Sequence, residues 1–149
     1  MVTHSSRTLK MLKEIAAKEV DLVAEALALA MKTVNEAQNK CDLLREYRQD
    51  YVKKLNKLLE AGIGAEEYQN FQNFFSKLDQ AVNGQQEVVE FAKRQEKVQR
   101  QLWQESQRKK LSYEVLSQRN NKHELKVEQK KDQKMMDEFA LRIGRLKHS

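Results

Sequence analysis

The residues best able to carry out chemistry are few and scattered in this 149-residue chain. The chain has three histidines and one cysteine, Cys41, and no spacing of Cys, His, Asp or Glu that suits a metal ion. No nucleophile, base and orienting residue occur in a pattern typical of catalysis. Gly62-Ile63-Gly64 is a weak candidate for a phosphate loop, because no strand precedes it and no Lys-Ser/Thr pair follows it. The sequence therefore predicts no catalytic, cofactor-binding or metal-binding residue, and it argues against an enzyme.

Aromatic side chains form a cluster of a different kind, one suited to contacts between proteins. Six of them lie within residues 47–75: Tyr47, Tyr51, Tyr68, Phe71, Phe74 and Phe75. If two helices meet around a turn near residue 63, Tyr51 lies opposite Phe75 and the cluster falls at one level of the pair. The cluster either widens the hydrophobic core between the helices or forms an exposed patch for a partner. Sequence reasoning leaves both interpretations open.

A seven-residue repeat indicates the first of these helices. Proline is absent, glycine occurs four times, and charged residues make up 34% of the chain, as is typical of long helices and coiled coils. Eight apolar or aromatic residues recur at heptad position d: Leu9, Ala16, Val23, Ala30, Ala37, Leu44, Tyr51 and Leu58. Position a is occupied by Lys13, Val20, Leu27, Val34, Cys41, Arg48 and Leu55. This pattern predicts a coiled-coil helix over residues 8–60, with Tyr47 beside the seam at position g.

Glycines then predict a turn and a second helix. Residues 61–65 contain two glycines, and Gly62 is the natural left-handed residue after a helix. A helix over residues 66–146 follows, with its seam at Tyr68, Phe71, Phe75, Leu78, Val82, Gln85, Val89 and Ala92. A weaker apolar series continues through Leu102, Tyr113, Leu116, His123 and Val127. The predicted fold is all-α: one domain, 1–149, forming a long antiparallel two-helix coiled coil.

The end of the second helix should extend beyond its partner. Pairing around residue 63 places residue 8 opposite residue 118, which leaves residues 119–149 as a protruding C-terminal helix extension. Its apolar stripe is made of Met136 (or Met135), Phe139, Ile143 and Leu146, with Lys130, Lys131, Lys134, Arg142 and Arg145 around it. An apolar stripe without a partner in its own chain indicates a partner elsewhere. The alternative is a disordered tail that aids solubility.

Charge leaves a second class of function open. Residues 62–92 carry one basic and five acidic side chains, whereas residues 93–149 carry 16 and eight. A basic third of this kind suits nucleic acid, anionic lipid or an acidic protein surface. The alternative function is therefore a basic coiled coil that binds nucleic acid through residues 93–149. Apart from Phe139 in the C-terminal stripe, only Trp103 and Tyr113 supply aromatic rings among those charges, which makes nucleic acid the less favoured partner.

The chain shows no sign of a membrane span or a secretion signal. Its longest apolar run, residues 26–31, is far shorter than the ~20 residues that cross a bilayer. A single cysteine cannot form an internal disulfide, which agrees with a reducing compartment. These features predict a cytoplasmic protein.

Several short segments along the chain form a recognisable set. They are Leu9-Lys10, Lys18-Glu19-Val20-Asp21, Leu44…Tyr47…Tyr51…Leu55, Gly62-Ile63, Tyr68…Phe71…Phe74, and the tail segment Asp132-Gln133-Lys134…Met136-Asp137-Glu138-Phe139-Ala140. Through these segments the sequence resembles the flagellar export protein FliJ family along nearly its whole length, and the tail segment is the most specific of them.

The resemblance implies a stalk-like component of the flagellar type III export apparatus, held at the cytoplasmic face of the inner membrane. It implies three partners: the export ATPase ring, the cytoplasmic linker of the export-gate membrane protein, and export chaperones. Positions matching the gate-binding surface are Leu44, Tyr47, Tyr51, Phe74, Leu78 and Ala81. The ring would receive the C-terminal stripe of Met136, Phe139, Ile143 and Leu146 with Lys130, Lys131 and Lys134. It implies no cofactor and no small-molecule substrate.

Overall fold

A computed structural model describes residues 4–147, which form two α-helices. Helix α1 spans His4–Ala61 and helix α2 spans Ala65–Lys147, and no strand occurs within residues 4–147. The all-α helical hairpin predicted from the heptads is confirmed. Helix α1 begins one turn earlier than the predicted residue 8. The first three and last two residues of the predicted domain lie outside the described residues.

The connection between the helices is short because glycine allows a sharp reversal. Gly62 has a φ of 90°, in the left-handed region that side chains disfavour, and its N–H donates to the Leu59 carbonyl at 3.3 Å. Helix α2 then starts with the N–H of Tyr68 donating to the carbonyl of Gly64 at 3.0 Å. Glu66 and Glu67 lie in its first turn, where carboxylates interact favourably with the helix dipole.

Contacts divide the chain into two compact units, residues 22–104 and residues 1–21 together with 105–149. In the first unit, the helices enclose a small apolar core in which Cys41 and Val89 are fully buried. Ala37 is buried beside them and Val82 packs against the group. Nearer the connection, Leu55, Phe75 and Leu78 are buried as well. Small residues in this core allow close approach of the two backbones.

The predicted register of α1 agrees with the burial of its side chains. All 15 residues assigned to positions a and d are buried or half-buried. In α2, the predicted seam from Phe71 to Ala92 is also buried or half-buried, but Tyr68 is exposed. The seam of α2 therefore begins at Phe71, one turn later than predicted.

Beyond Ala92 the predicted seam of α2 is mostly wrong. Leu102, Leu116, His123 and Val127 are exposed, and only Tyr113 of the predicted series faces α1. Apart from Glu114, which is half-buried next to Tyr113 in the sequence, the buried and half-buried positions within residues 93–124 are instead Glu96, Gln99, Trp103, Ser106, Lys110, Tyr113, Ser117, Asn120 and Glu124. These continue the steps of three and four set by Phe71 and Phe75. Heptad position, and not side-chain polarity, decides which residues face α1 here.

The second unit pairs the start of α1 with residues 105–124 of α2. The Ser6 hydroxyl donates to the Glu124 carboxylate at 2.7 Å, and the Asn120 amide donates to Ser6 Oγ at 2.8 Å. Pairing therefore reaches residue 124, and the prediction that it stops near residue 118 is wrong because α1 starts at His4. From Leu125 to Lys147 every residue except Gly144 is exposed.

None of the described helices contains a stretch long and apolar enough to cross a membrane.

Candidate protein-binding surfaces

Three aromatic rings meet on the surface of the unit formed by residues 22–104, and we call them the tip aromatic cluster: Tyr47, Tyr51 and Phe74. The ring centroid of Tyr51 lies 4.8 Å from that of Tyr47 and 4.5 Å from that of Phe74. Tyr47 and Phe74 are 6.3 Å apart in an edge-to-face arrangement. These separations are those of favourable aromatic pairs, so the rings hold one another in place across the two helices.

The tip aromatic cluster combines support from the core with exposure to solvent. Tyr51 and Phe74 are half-buried, whereas Tyr47 is 48% exposed. The hydroxyls of Tyr47 and Tyr51 are 3.3 Å apart, and this hydrogen bond raises the pKa of Tyr47 above the usual tyrosine value. A shallow depression of about 180 Å³ opens beside the cluster, lined by Tyr51, Phe71 and Phe74 together with Glu67 and Asn70. The outer face of the cluster is thus apolar and accessible.

The other residues predicted for gate binding surround this cluster at different depths. Ala81 is exposed and Leu44 is half-buried, but Leu78 is only 7% exposed and lies in the seam. Leu78 can support the neighbouring rings from below, and a partner would meet it only through them. The structure therefore brings Tyr47, Tyr51 and Phe74 together and distributes the remaining three predicted residues around them.

Sequence reasoning missed that the cluster belongs to a longer apolar edge. Heptad positions g and c of the two helices share this edge, as the Tyr47–Phe74 contact shows for position g. We call its apolar members between residues 22 and 102 the apolar edge: Leu22, Ala26, Leu29, Leu43, Tyr47, Phe74, Ala81, Val88, Phe91, Val98 and Leu102. The apolar residues of this edge are visible in the sequence, but they lie at positions beside the seam, and the heptad pattern of the seam does not include them.

Polar bonds between the helices concentrate on the opposite edge. Arg48 Nε donates to Asp79 Oδ1 at 2.6 Å, and Arg45 Nη2 donates to Gln86 Oε1 at 2.9 Å. Near the core, the Gln85 amide donates to the carbonyl of Ala37 at 2.9 Å, which satisfies this half-buried polar group. The unit of residues 22–104 therefore has one edge joined by polar bonds and another that presents apolar side chains to solvent.

The predicted C-terminal stripe is exposed along its length. Met136, Phe139, Ile143 and Leu146 lie on one face of α2 and are all exposed, as are Lys130, Lys131 and Lys134. Leu141 is also exposed and lies on the opposite face of the helix. The stripe and the basic residues are thus available to a partner that encloses a helix.

Among the described residues, no group of three or more His, Cys, Asp or Glu side chains could hold a metal ion.

Comparisons with known proteins agree with this architecture. A family model described as "Flagellar FliJ protein" matches residues 5–149. A flagellar FliJ protein of Escherichia coli (strain K12) is 28% identical over 144 residues, which cover 97% of each chain. One from Salmonella typhi is 30% identical over 146 residues, again covering 97% of each chain.

A similarity at the level of fold extends to a solved structure. The Chlamydia trachomatis protein CT670, described as a homologue of YscO, superposes with a TM-score of 0.51. The superposition covers 95% of this chain and 92% of that one at 17% identity. At that identity the likeness shows a shared helical fold.

Proposed function

The chain belongs to the flagellar FliJ protein family, and on that premise we propose that it is a component of the flagellar type III protein export apparatus. It acts there by binding other proteins: it links the export ATPase ring to the cytoplasmic linker of the export-gate membrane protein, and it handles export chaperones. These contacts would keep it at the cytoplasmic face of the inner membrane. The observation that carries this proposal is the family match over nearly the whole chain, which includes both exposed apolar surfaces.

The tip aromatic cluster is the proposed site for the gate linker. It supplies the features of an interaction hot spot: large aromatic side chains, a rigid arrangement and partial burial that lowers the entropy lost on binding. Tyr47 presents its ring to solvent while Tyr51 and Phe74 fix it from both helices. Because Tyr47 and Phe74 lie beside the seam, the loss of either should weaken binding without separating the helices.

The gate proposal is tested with Tyr47→Ala and Phe74→Ala, measured by calorimetric titration against the purified gate linker. Each change should weaken binding by about 1 kcal/mol or more, the scale of a hot-spot residue. Tyr68→Ala is the matched control, because Tyr68 is an exposed aromatic of α2 that contacts none of the three rings of the cluster. Helicity should be nearly unchanged in all three variants. If a variant that combines Tyr47→Ala with Phe74→Ala loses its fold, the cluster belongs to the core instead. If that variant folds and binds the linker normally, the cluster is not the gate site.

The C-terminal stripe is the proposed docking element for the ATPase ring. An exposed stripe of Met136, Phe139 and Ile143 can bury apolar area inside a ring, while the surrounding lysines favour approach to acidic groups. Affinity would come mainly from the stripe, and the rate of association and its salt dependence mainly from the charges.

The ring proposal is tested with a Met136→Asp, Phe139→Asp double variant. It should fail to stimulate the ATPase or to promote its ring assembly, while gate binding through Tyr47 and Phe74 remains. Leu141→Asp replaces an exposed apolar residue with one aspartate on the opposite face of the same helix and should keep stimulation. Normal stimulation by the double variant would show that another surface docks on the ring.

The effect of salt concentration on binding distinguishes the nucleic-acid function from the export function. A protein held to DNA by phosphate contacts loses affinity steeply as salt rises. We expect that DNA binding by the full chain is lost at physiological salt while binding to the ATPase and gate linker persists. Tight DNA binding at that salt would favour the nucleic-acid function.

A further inference from the structure

The apolar edge widens into a groove at some distance from the tip aromatic cluster. The groove has a volume of about 340 Å³. Its floor and walls are formed by small and large residues of both helices, respectively: Ala26, Ala30 and Ala92, and Leu29, Val88 and Phe91. Leu29 is 66% exposed and Phe91 is 57% exposed, so the walls present apolar area to water. Burial of these walls by another molecule would be favourable.

The groove lies within a second heptad face, formed by positions g and c of each helix. On α1 this face consists of Leu22, Ala26, Leu29 and Thr33, and on α2 of Phe91, Gln95, Val98 and Leu102. All of them except the half-buried Ala26 are exposed. In both helices the steps along the face are four, three and four residues, which is the spacing of a coiled-coil seam. The face is therefore suited to pack against helices with the same spacing.

A second copy of the chain supplies helices with that spacing. In an antiparallel coiled coil, the two seam positions of one helix pack against the opposite seam positions of the other. With α1 laid against α1 of a second copy, Ala26 meets Leu29 of that copy. With α2 laid against α2 in the same way, Phe91 meets Leu102 of that copy. The face is thus self-complementary about a two-fold axis.

One axis serves both pairs of helices. Bonded partners on α1 and α2 have residue numbers that sum to between 122 and 131. By this rule the midpoint of residues 22–33 stands level with the midpoint of residues 91–102. A single rotation therefore brings both segments onto their copies, and the two hairpins form a four-helix bundle around the groove.

Charged residues on the outer flank of the face match in this arrangement. Position f provides this flank, with Glu25 and Lys32 on α1 and Arg94 and Gln101 on α2, and all four side chains are exposed. The register that pairs Ala26 with Leu29 places Glu25 of each copy opposite Lys32 of the other. It also places Arg94 opposite Gln101. The dimer therefore gains two ion pairs between copies and no repulsion at these positions.

The alternative arrangements bring like charges together. A shift by one heptad towards Gly62 keeps the seam spacing but places Lys32 opposite Lys32 and Arg94 opposite Arg94. A shift by one heptad in the other direction places Glu25 opposite Glu25. The other possible two-fold axis, which lays α1 against α2 of the second copy, places Lys32 opposite Arg94. Charge complementarity therefore selects a single register.

We propose that two copies of the chain associate through this face as an antiparallel dimer, with α1 against α1, α2 against α2, and Glu25 of each copy paired with Lys32 of the other. The walls of each copy close the groove of the other, and the two Gly62 connections point in opposite directions. The facing segments are 12 residues long in each helix. At 1.5 Å per residue and two helix widths, each copy contributes about 350 Å², so the dimer is weak and reversible.

The polar groups that the dimer covers have partners within it. Lys32 lies 3.9 Å from Glu36 and both are exposed, so exchanging this pair for Glu25 of the second copy loses little. Gln95 and Gln99 also line the groove. Their amides both donate and accept hydrogen bonds, so the same amides of the second copy satisfy them.

Charge exchange tests the proposal on the full-length chain by sedimentation velocity, over concentrations from about 1 µM to 1 mM. We expect the unaltered protein to dimerise. Glu25→Lys and Lys32→Glu should each weaken the dimer about tenfold, because each places like charges opposite one another twice. A chain that carries both changes should dimerise again without any change in net charge. An equimolar mixture of the two single variants should also dimerise, because the introduced lysine of one then faces the introduced glutamate of the other.

Matched controls separate this register from net charge and from general hydrophobicity. Glu46→Lys and Lys53→Glu make the same charge changes at exposed f positions of α1 outside the facing segments and should leave the dimer unchanged. Leu29→Gln removes an apolar wall and should weaken the dimer. Leu59→Gln, at an exposed apolar position on the opposite edge of α1, should not. Circular dichroism establishes that each variant keeps its helicity.

Four outcomes would overturn the proposal: a monomer at every concentration, single variants that dimerise as the unaltered protein does, a double variant and a mixture that both stay dissociated, and charge controls that dissociate like the single variants. The second of these would show that the copies meet through another surface. Restoration in the double variant supports the register, since neither net charge nor loss of folding produces that result. The experiment contains neither the ATPase nor the gate linker, so its outcome does not depend on the proposed export function.

Discussion

In residues 22–104, α2 turns Phe75, Leu78 and Val89 towards α1, whereas in residues 105–124 it turns Ser106, Lys110 and Ser117 towards it at the same heptad positions. Helix α1 keeps an apolar seam in both units, with Leu27 buried in one and Ala16 and Val20 buried in the other. The two units thus share a geometry and differ in the chemistry of one helix. Geometry alone suffices to pair the helices, but apolar burial on both sides is what stabilises the pair.

Charge separates the same two units. Residues 22–104 contain 12 basic and 12 acidic side chains, whereas the rest of the chain contains 16 and 10. A neutral unit with an apolar seam is suited to stable structure, and a basic unit with a polar seam is suited to recognising acidic surfaces. This comparison predicts which substitutions change stability and which do not.

The largest effect should come from truncating the apolar seam. Leu27→Ala and Leu55→Ala remove side chains that are 8% and 7% exposed, and each should lower the free energy of unfolding by about 2–4 kcal/mol. Leu9→Ala, at a half-buried position opposite the polar seam, should cost about half as much or less. Urea unfolding followed by circular dichroism measures all three. Equal losses would remove the distinction between the units.

Making the polar seam apolar should strengthen it. Ser117 is half-buried at a seam position that faces the region of Leu9, so Ser117→Leu should raise the free energy of unfolding of that unit by about 1 kcal/mol. Ser112→Leu introduces the same side chain at an exposed position and should have little effect. Hydrogen exchange of the amides in residues 5–20 reports the change locally. Exchange that is no slower in the Ser117 variant would show that polarity is not what weakens the seam.

Smaller effects are expected from replacing two glycines of α2, one in the packed part of the helix and one in its exposed part. A Cβ at Gly84 or at Gly144 would meet no atom within 4 Å, so alanine fits at both positions. Gly84→Ala should raise the free energy of unfolding by about 0.8–1 kcal/mol through helix propensity. Gly144→Ala lies among exposed residues of α2, so we expect it to raise helicity without moving the unfolding midpoint. A shift of that midpoint by Gly144→Ala would mean that the end of α2 unfolds together with the packed helices.

The smallest effects belong to the exposed ion pairs. Arg48 bonds Asp79 at 2.6 Å and lies 5.5 Å from the ring centroid of Phe75, whereas Lys109 and Glu19 are 3.5 Å apart without such a neighbour. Arg48→Ala should cost about 0.5–1 kcal/mol, and Lys109→Ala less than about 0.5 kcal/mol. Unfolding at low and high salt measures both. A larger loss at Lys109 would show that the polar seam depends on charge more than its exposure indicates.

Sequence alone predicts the helices and the seam of α1 because their signals are strong and local. Every predicted a and d residue of α1 is buried or half-buried, and the connection falls at Gly62 as its preference for left-handed backbone requires. The two exposed surfaces also follow from register, since Tyr47 and Phe139 both lie outside the seam in the structure.

The rest of the structure depends on packing between the two helices, which the composition of one helix does not predict. Past Ala92, the prediction assigned Leu102 and Leu116 to the seam because they are apolar. The register set by Phe71 and Phe75 continues instead, and it places Trp103 and Ser117 in the seam. The groove at Leu29 and Phe91 was missed for a related reason, because it lies between two helices at positions that a single-helix pattern assigns to solvent. Both errors arise from treating each helix alone.

The short reversal at Gly62 has a consequence for how the chain reaches its fold. Partners across the hairpin are separated by few residues next to the reversal and by more than a hundred at its far end, as between Ser6 and Glu124. Closing a small loop loses less entropy than closing a large one, and each pair formed brings the next pair into range. The helices should therefore zip from Gly62 outwards, forming the contacts of Phe75, Leu78 and Val89 before those of the polar seam residues beyond Ala92. The apolar contacts near the reversal should therefore form first, and the contacts between Ser6 and Glu124 should form last.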